Sequence, residues 1–453
     1  DAKAEDAAKG ADAADEAAAA EVVDPSASHR SMTRELYKDP LVDGMLDPKK
    51  FPEIRAPKPV TSQEILQLKA MASNSIAPVD VNLITNVVNG MVGEMTNSRN
   101  LQAIRDQSGE KTSSAQPAVQ VAFLNLLEPV LTSRSAKNAT FQVQYNKILL
   151  AKLQPVLKHQ LVARIHAMIV LAETGNPDAL KLFLDEIKSS TQTVWVKLWA
   201  FRGLTNIKLL SNRLAASQEM DAAKIVSDQL LKGKEWPWWV QYRALEALAA
   251  LRQGYLTNSP RTVDMASTAF QYLIDEKLRP EVRAEAARAL GAMQITTAVP
   301  KFNFELTAYA TARLAASLIE RIADGYSENP TRARELTTIL VGPVFQAFQG
   351  QEGVRDSGLL NNPTVTNKAD VQKYFDGMKS AAKVATALGN NPPAGQIPGL
   401  TEDLKTKLQA YQEFLGKNAP ADTNLFPGGP VYTGPAAEAA PRQAEAGGPR
   451  RGR

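Results

Sequence analysis

The chain has 453 residues, and its apolar fraction of 44% and charged fraction of 22% are those of an ordinary folded protein. Because it is about three times a typical domain length, it predicts either several domains or one elongated repeat array. The net charge of +4 gives no signal for a polyanionic partner, and the absence of cysteine excludes disulfides, thiol nucleophiles and cysteine-ligated metal sites.

The first 60 residues are predicted to lack a core of their own. Residues 1–31 are mostly alanine with scattered acids, so we expect disorder there. The prolines between Met32 and Val60 exclude long helices and predict an extended arm that lies on the first repeats. If Asp1 follows a cleaved signal peptide, the protein is exported to the periplasm; otherwise, we expect it in the cytoplasm.

Residues 61–350 carry a helical pattern almost throughout. Thr61 and Glu64 have the spacing of a capping box, in which each side chain bonds a backbone amide of the other, and this predicts the first helix. Asp80 and Asn176 mark further helix starts. The apolar residues that follow Asn176 fall at i, i+3, i+4 and i+7, the stripe of a helix with one buried side: Leu180, Phe183, Leu184 and Ile187.

Four segments of this region repeat one helical pattern. Apolar residues recur at offsets of 0, 4, 8 and 11, with few exceptions, and the second position is always alanine: Ala167, Ala200, Ala244 and Ala286. These offsets lie on one face of an α-helix, and a small residue there lets a neighbouring helix approach closely. Because intervals of 33, 44 and 42 residues leave room for two helices and a turn, the sequence predicts stacked helix pairs.

Two strings in these segments, PEVRAEAARALGAM and ARIHAMIVLAETGNPDALKLFLDEI, resemble HEAT repeats, especially the short form found in many bacterial proteins. The resemblance is clearest over residues 161–324. It implies an all-α fold, an α-solenoid with a HEAT/armadillo-like superhelix, and a habit of binding macromolecules; it implies no reaction. We expect the array to span 61–350, a loop with two capping helices to span 351–416, and a disordered tail rich in Pro, Gly, Ala and Arg to span 417–453.

Residues suited to catalysis or metal binding are sparse. His159 and His166 have no acidic residue at metal-ligand spacing, so we predict no metal site and expect both at surface or groove positions, with His166 packing at a helix-pair boundary. No phosphate-binding glycine loop, dinucleotide fingerprint or nucleophile elbow occurs. We therefore predict no enzymatic activity and no cofactor. The apolar stretches are also too short for the roughly 20 residues of a transmembrane helix.

The tryptophans form the one cluster that favours a binding site. All five fall within 45 residues, and two arginines lie near them: Trp195, Trp199, Arg202, Trp236, Trp238, Trp239 and Arg243. One interpretation is a concave partner groove, in which the rings and guanidinium groups anchor a peptide or stack on nucleobases. The other is that the rings interlock adjacent repeats as part of the core.

These observations favour a non-catalytic scaffold or adaptor that binds another protein through a curved helical surface. A nucleic-acid-binding HEAT protein of the repair-glycosylase type is one alternative, and it requires the Lys and Arg residues of successive helices to converge on one surface. An accessory subunit of a cofactor-attaching enzyme is another, because short bacterial HEAT arrays are known in that role.

Overall fold

A computed structural model describes residues 39–107, 117–211, 213–256, 263–296, 299 and 301–434, with the backbone alone at 105–107. Over these ranges the chain is helical and contains no β-strand, which confirms the predicted all-α class. None of the helices in the described ranges combines the length and hydrophobicity needed to cross a bilayer. The disorder predicted for residues 1–31 and for 435–453 lies outside the described residues.

The α-helices follow one another with short connections, some of them single 3₁₀ or π turns. In chain order they are α1 Ser62–Ser73, α2 Val81–Thr96, α3 Ser98–Gln107, α4 Ala118–Ser135, α5 Ala139–Leu153, α6 Leu161–Thr174, α7 Leu180–Lys188, α8 Val194–Asn206, α9 Ala216–Lys232, α10 Trp238–Leu251, α11 Asp264–Ile274, α12 Pro280–Ala292, α13 Phe304–Gly325, α14 Pro330–Ile339, α15 Phe345–Gln349, α16 Lys368–Gly389 and α17 Ile397–Lys417.

Polar side chains define where the first helices begin. The Thr61 amide donates to Glu64 Oε2 (2.9 Å) and the Glu64 amide donates to Thr61 Oγ1 (3.2 Å), so the predicted capping box is confirmed. Asp80 Oδ1 accepts from two amides at the start of α2, also as predicted. Asn138 caps α5 and donates through Nδ2 to Met71 O (3.0 Å), so this cap also holds the end of α1.

The four alanine-marked helices, α6, α8, α10 and α12, pack side by side in chain order. Ala167, Ala200, Ala244 and Ala286 are completely buried, because their small side chains let the helices approach closely. We call these four helices the first layer. The intervening helices α7, α9 and α11 form a second layer, in which each helix packs against the first-layer helix that follows it.

Residues 39–60 form an arm that lies across several helix ends. The Val194 amide at the start of α8 donates to Asp39 Oδ2 (3.3 Å), and the Ile54 amide donates to Thr96 Oγ1 (3.1 Å) at the end of α2. Between these points, Val42 is buried against Leu161. The arm therefore contacts helix ends that lie between 42 and 155 positions from its own residues.

The arm also covers His159, which is 4% exposed, whereas a surface or groove position is predicted from the sequence. Its Nε2 lies 3.0 Å from Pro52 O; since a carbonyl oxygen only accepts, Nε2 carries the proton and donates. The ring packs against Phe51, with centroids 5.4 Å apart. Burial lowers the pKa of His159, and the nearby Arg164 charge acts in the same direction, whereas the Pro52 hydrogen bond opposes the shift.

The C-terminal helices α13, α16 and α17 pack on one another, and the chain after them continues along this group. The prediction of disorder from residue 417 is wrong for residues 418–434. Leu425 is fully buried, its carbonyl accepts from the Asn303 amide (2.8 Å), and Tyr432 packs edge-on against Tyr309 at 5.6 Å. These few apolar anchors hold a segment whose composition is otherwise typical of a tail.

Candidate functional site

Equivalent positions on neighbouring first-layer helices bring the predicted groove residues together. On α8 lie Trp195, Trp199 and Arg202, on α10 lie Trp238, Trp239 and Arg243, and Trp236 lies in the turn before α10. The alanine marker recurs after 44 residues between α8 and α10 and after 42 residues between α10 and α12. Side chains separated by these intervals therefore face each other across the helix contacts.

The tryptophan rings fill the junctions between consecutive helices. Trp195 and Trp239, 44 positions apart, stack with ring centroids 4.1 Å apart and an interplanar angle of 26°. Trp236 lies 6.1 Å from Phe201 of α8. The Arg279 guanidinium, just before α12, lies 4.4 Å above the Trp238 ring. The rings thus take part in the packing that joins α8, α10 and α12.

The two arginines of the predicted groove share one carboxylate. Arg202 Nη1 donates to Glu246 Oε1 (3.3 Å), and Arg243 Nη1 donates to Glu246 Oε2 (2.7 Å). Glu246 lies 44 positions after Arg202, so the first pair joins equivalent positions of α8 and α10. The predicted groove is therefore charged in both signs and not purely basic.

A charged residue also occupies the equivalent position of α12. Arg288 lies 42 positions after Glu246, and its Nε lies 2.9 and 3.0 Å from the two carboxylate oxygens of Glu285. Glu285 is 1% exposed, so this pair is removed from solvent almost completely. Sequence analysis missed Glu246, Glu285 and Arg288, although the intervals of 44 and 42 residues that relate the alanines would have located them.

Glu246, Glu285 and Arg288 line a cleft of about 680 Å³, which we call the charged cleft. The seven predicted groove residues, the five tryptophans with Arg202 and Arg243, are not among its lining residues. Its walls come from α10, α12, the end of α8 and the loop 351–358. The lysine, arginine and glutamate residues of its lining are four basic and two acidic side chains: Lys208, Arg252, Arg288, Arg355, Glu246 and Glu285. Its lining therefore carries a net charge of +2.

Arginines also fix the loop that forms one wall of the charged cleft. Arg252 follows the last residue of α10 and has a left-handed backbone conformation (φ 60°). Its guanidinium extends toward α12 and the loop 351–358. Its Nε donates to Ala292 O (3.1 Å) and its Nη2 donates to Asp356 O (2.6 Å). Arg288 Nη1 donates to Gln351 Oε1 (3.3 Å). The loop is thus tied to both helices.

Burial sets the protonation states in the charged cleft. It raises the pKa of Tyr242 to about 12, and the nearby Glu285 charge adds to this rise, so the phenol stays protonated at neutral pH. Burial alone would lower the pKa of Arg288, but contact with the Glu285 carboxylate outweighs it and raises the pKa of this guanidinium. The cleft therefore offers protonated donors, which suit anionic or carbonyl groups of a ligand.

The described residues contain no group of three or more His, Asp or Glu side chains placed to hold a metal ion. His166 stacks on Phe123 with ring centroids 4.5 Å apart, which is a packing position between α4 and α6. Asp185 is occupied by ion pairs to Lys181 (2.5 Å) and Lys188 (3.3 Å) on the surface of α7. In the described part of the chain, the charged cleft is the clearest candidate for a binding function.

No protein-family model, no curated protein and no solved structure matches this chain. The resemblance to HEAT repeats therefore depends on the residue pattern alone.

Proposed function

We propose that this chain is an α-solenoid of HEAT-like helix pairs, and that it acts as a non-catalytic scaffold that binds another protein at the charged cleft. The side-by-side packing of the alanine-marked helices α6, α8, α10 and α12 supports the solenoid. In addition, α8, α10 and α12 each pack against the second-layer helix that precedes them. One observation supports the binding site: charged residues recur at the same position of three successive first-layer helices, at Arg202, which bonds Glu246, and at Glu246 and Arg288, which line the cleft.

The proposed partner presents an acidic segment. The lining of the charged cleft has two more cations than carboxylates, although Lys208 pairs with Glu219 and Arg355 with Asp356 outside the lining. Arg355 stands at the rim with a side chain that is 93% exposed. Carboxylates of a partner would gain charge-assisted hydrogen bonds there. A volume of about 680 Å³ lies within the range of ligand pockets, so the cleft accommodates a few residues of an extended peptide.

Affinity purification with matched charge-reversal variants tests this proposal. The full chain, Arg355→Glu and Arg55→Glu are immobilised, and the proteins that they retain from the native source are identified by mass spectrometry. Arg55 is the control because its side chain is 89% exposed and lies on the arm. We expect one partner that the full chain and Arg55→Glu retain but Arg355→Glu loses. If no protein shows this pattern, the proposal is wrong.

A nucleic-acid partner fits the charged cleft less well. Nucleic-acid binding requires the Lys and Arg residues of successive helices to converge on one surface, whereas here Glu246 and Glu285 are paired with Arg202, Arg243 and Arg288 on that surface. Binding of single-stranded or duplex DNA at low salt, with affinity that falls steeply as salt rises, would favour this alternative. If the retained partner is a cofactor-attaching enzyme, the scaffold is an accessory subunit of that enzyme.

A further inference from the structure

A second cavity, of about 300 Å³, lies between α11, α12, α13 and the C-terminal segment 418–434. Its polar lining residues are three arginines, two glutamates and three neutral donors: Arg283, Arg313, Arg321, Glu276, Glu320, Ser317, Gln412 and Tyr432. We call this cavity the arginine pocket. It shares no lining residue with the charged cleft.

Arg283 lies on α12 and is only 7% exposed. Its Nε donates to Leu273 O (2.9 Å), and no carboxylate in the described part of the chain comes within 4.0 Å of its guanidinium. A guanidinium remains charged in proteins, and a buried charge is costly unless a counter-charge or several hydrogen bonds compensate it. Arg283 therefore presents a cation to the pocket without a paired anion.

Arg313 and Arg321 come from α13 and add two more charges. They are eight residues apart, slightly over two helical turns, so both face the same side of α13. Arg313 is half-buried and Arg321 is exposed. Within the described ranges neither makes an ion pair at 4.0 Å or less, and the exposed Glu276 and Glu320 do not reach any of the three guanidiniums at that distance.

We propose that the arginine pocket binds a phosphate group, with Arg283 at its buried end and Arg313 and Arg321 along its wall. The three guanidinium groups exceed the two glutamates of the lining by one positive charge, and their planar shape allows two-point contacts with phosphate oxygens. The Tyr432 hydroxyl, the Ser317 hydroxyl and the Gln412 amide supply further donors from three different segments. The ligand is either inorganic phosphate or a small phosphomonoester, since about 300 Å³ leaves room for a small substituent.

Isothermal titration calorimetry on the full chain tests this site, with inorganic phosphate and glycerol 3-phosphate as probes. We expect saturable binding to the unmodified chain with a Kd of about a millimolar or tighter. Arg313→Gln and Arg321→Gln each remove one charge-assisted contact and should weaken binding about tenfold. Tyr432→Phe removes one neutral donor and should weaken it by a smaller factor, about fivefold.

Arg55→Gln is the matched control, because it removes an exposed charge on the arm and should leave phosphate binding unchanged. Tighter binding of glycerol 3-phosphate than of phosphate assigns a phosphomonoester ligand, and equal affinities assign the free anion. If the unmodified chain binds neither probe, or if Arg55→Gln weakens binding as much as Arg313→Gln, the site does not exist. Circular dichroism of each variant separates a lost contact from a lost fold.

Discussion

The indole rings of Trp195 and Trp239 lie nearly parallel, 4.1 Å apart, although 44 residues separate them in the chain. Each ring occupies the position five residues before its alanine marker, Ala200 or Ala244. The stack therefore joins equivalent positions of two successive helix pairs. Offset stacking of this kind adds to the free energy that burial of the rings already contributes.

Two substitutions at Trp195 separate the packing of its ring from its polar group. Trp195 is 3% exposed, so Trp195→Ala should lower the free energy of unfolding by about 3 to 5 kcal/mol. Trp195→Phe keeps an aromatic ring and removes an indole N–H that has no partner among the described residues, so it should cost less than about 1.5 kcal/mol. Urea unfolding measures both. Equal, small losses would show that the ring is not part of the core.

Gly291 marks a close contact between α12 and α15. A Cβ added there would overlap the carbonyl oxygen of Ala347, which belongs to backbone that cannot rotate away. Gly291→Ala should therefore lower the free energy of unfolding by about 1 to 3 kcal/mol. At Gly325, nothing lies within 4 Å of an added Cβ, so Gly325→Ala should be neutral or slightly stabilising. Thermal denaturation compares the pair, and equal effects would contradict the contact.

His159 should make the stability of the protein depend on pH. Burial lowers its pKa in the folded chain, whereas in the unfolded chain the value is about 6.5. As the pH falls through 6.5, the unfolded chain takes up a proton that the folded chain does not, so stability present above that pH is lost progressively. The loss of stability levels off once the pH is below the pKa of His159 in the folded chain.

Urea titrations between about pH 7.5 and pH 5 measure this dependence. His159→Gln retains an N–H donor for Pro52 O but does not titrate, so its free energy of unfolding should fall less than that of the unmodified chain over this window. Identical slopes for the two proteins would mean that His159 is already accessible to protons in the folded state.

Arg252 holds the loop 351–358 by bonding two separate carbonyls, Ala292 O and Asp356 O. Lysine keeps the charge but presents a single ammonium group, so it cannot reproduce both contacts. Arg252→Lys should speed amide hydrogen exchange in this loop by about tenfold while leaving exchange in α6 unchanged. Uniform acceleration across the chain would point instead to a general loss of stability.

The helical class and the neighbouring first-layer helices could be predicted because they depend on local signals. The capping box at Thr61 satisfies amides at the start of one helix, and each alanine marker lets a neighbouring helix approach closely. Both signals can therefore be recognised within a single helix. The burial of His159 could not be predicted, because it depends on an arm more than a hundred residues away.

The residues that line the charged cleft were not predicted. The tryptophans, Arg202 and Arg243 were singled out in the sequence, and of these Arg202 and Arg243 bond Glu246 in the cleft lining without lining the cleft themselves. Glu246 and Glu285 are ordinary acids in helices, and only their position opposite an arginine on the same or the next helix gives them a role. Order in residues 418–434 was missed because Leu425 is the one buried residue of this segment, and a single leucine forms no sequence pattern.

The arm has a consequence for how the protein is made. Asp39 binds the amide of a residue 155 positions later, so that bond cannot form until Val194 has left the ribosome. At about 5 to 20 residues per second, the wait is roughly 8 to 30 s. Until Leu161 has emerged, 119 positions after Val42, Val42 and Met45 of the nascent chain lack the surface that later shields them, so this short stretch is where chaperone contact during translation should begin.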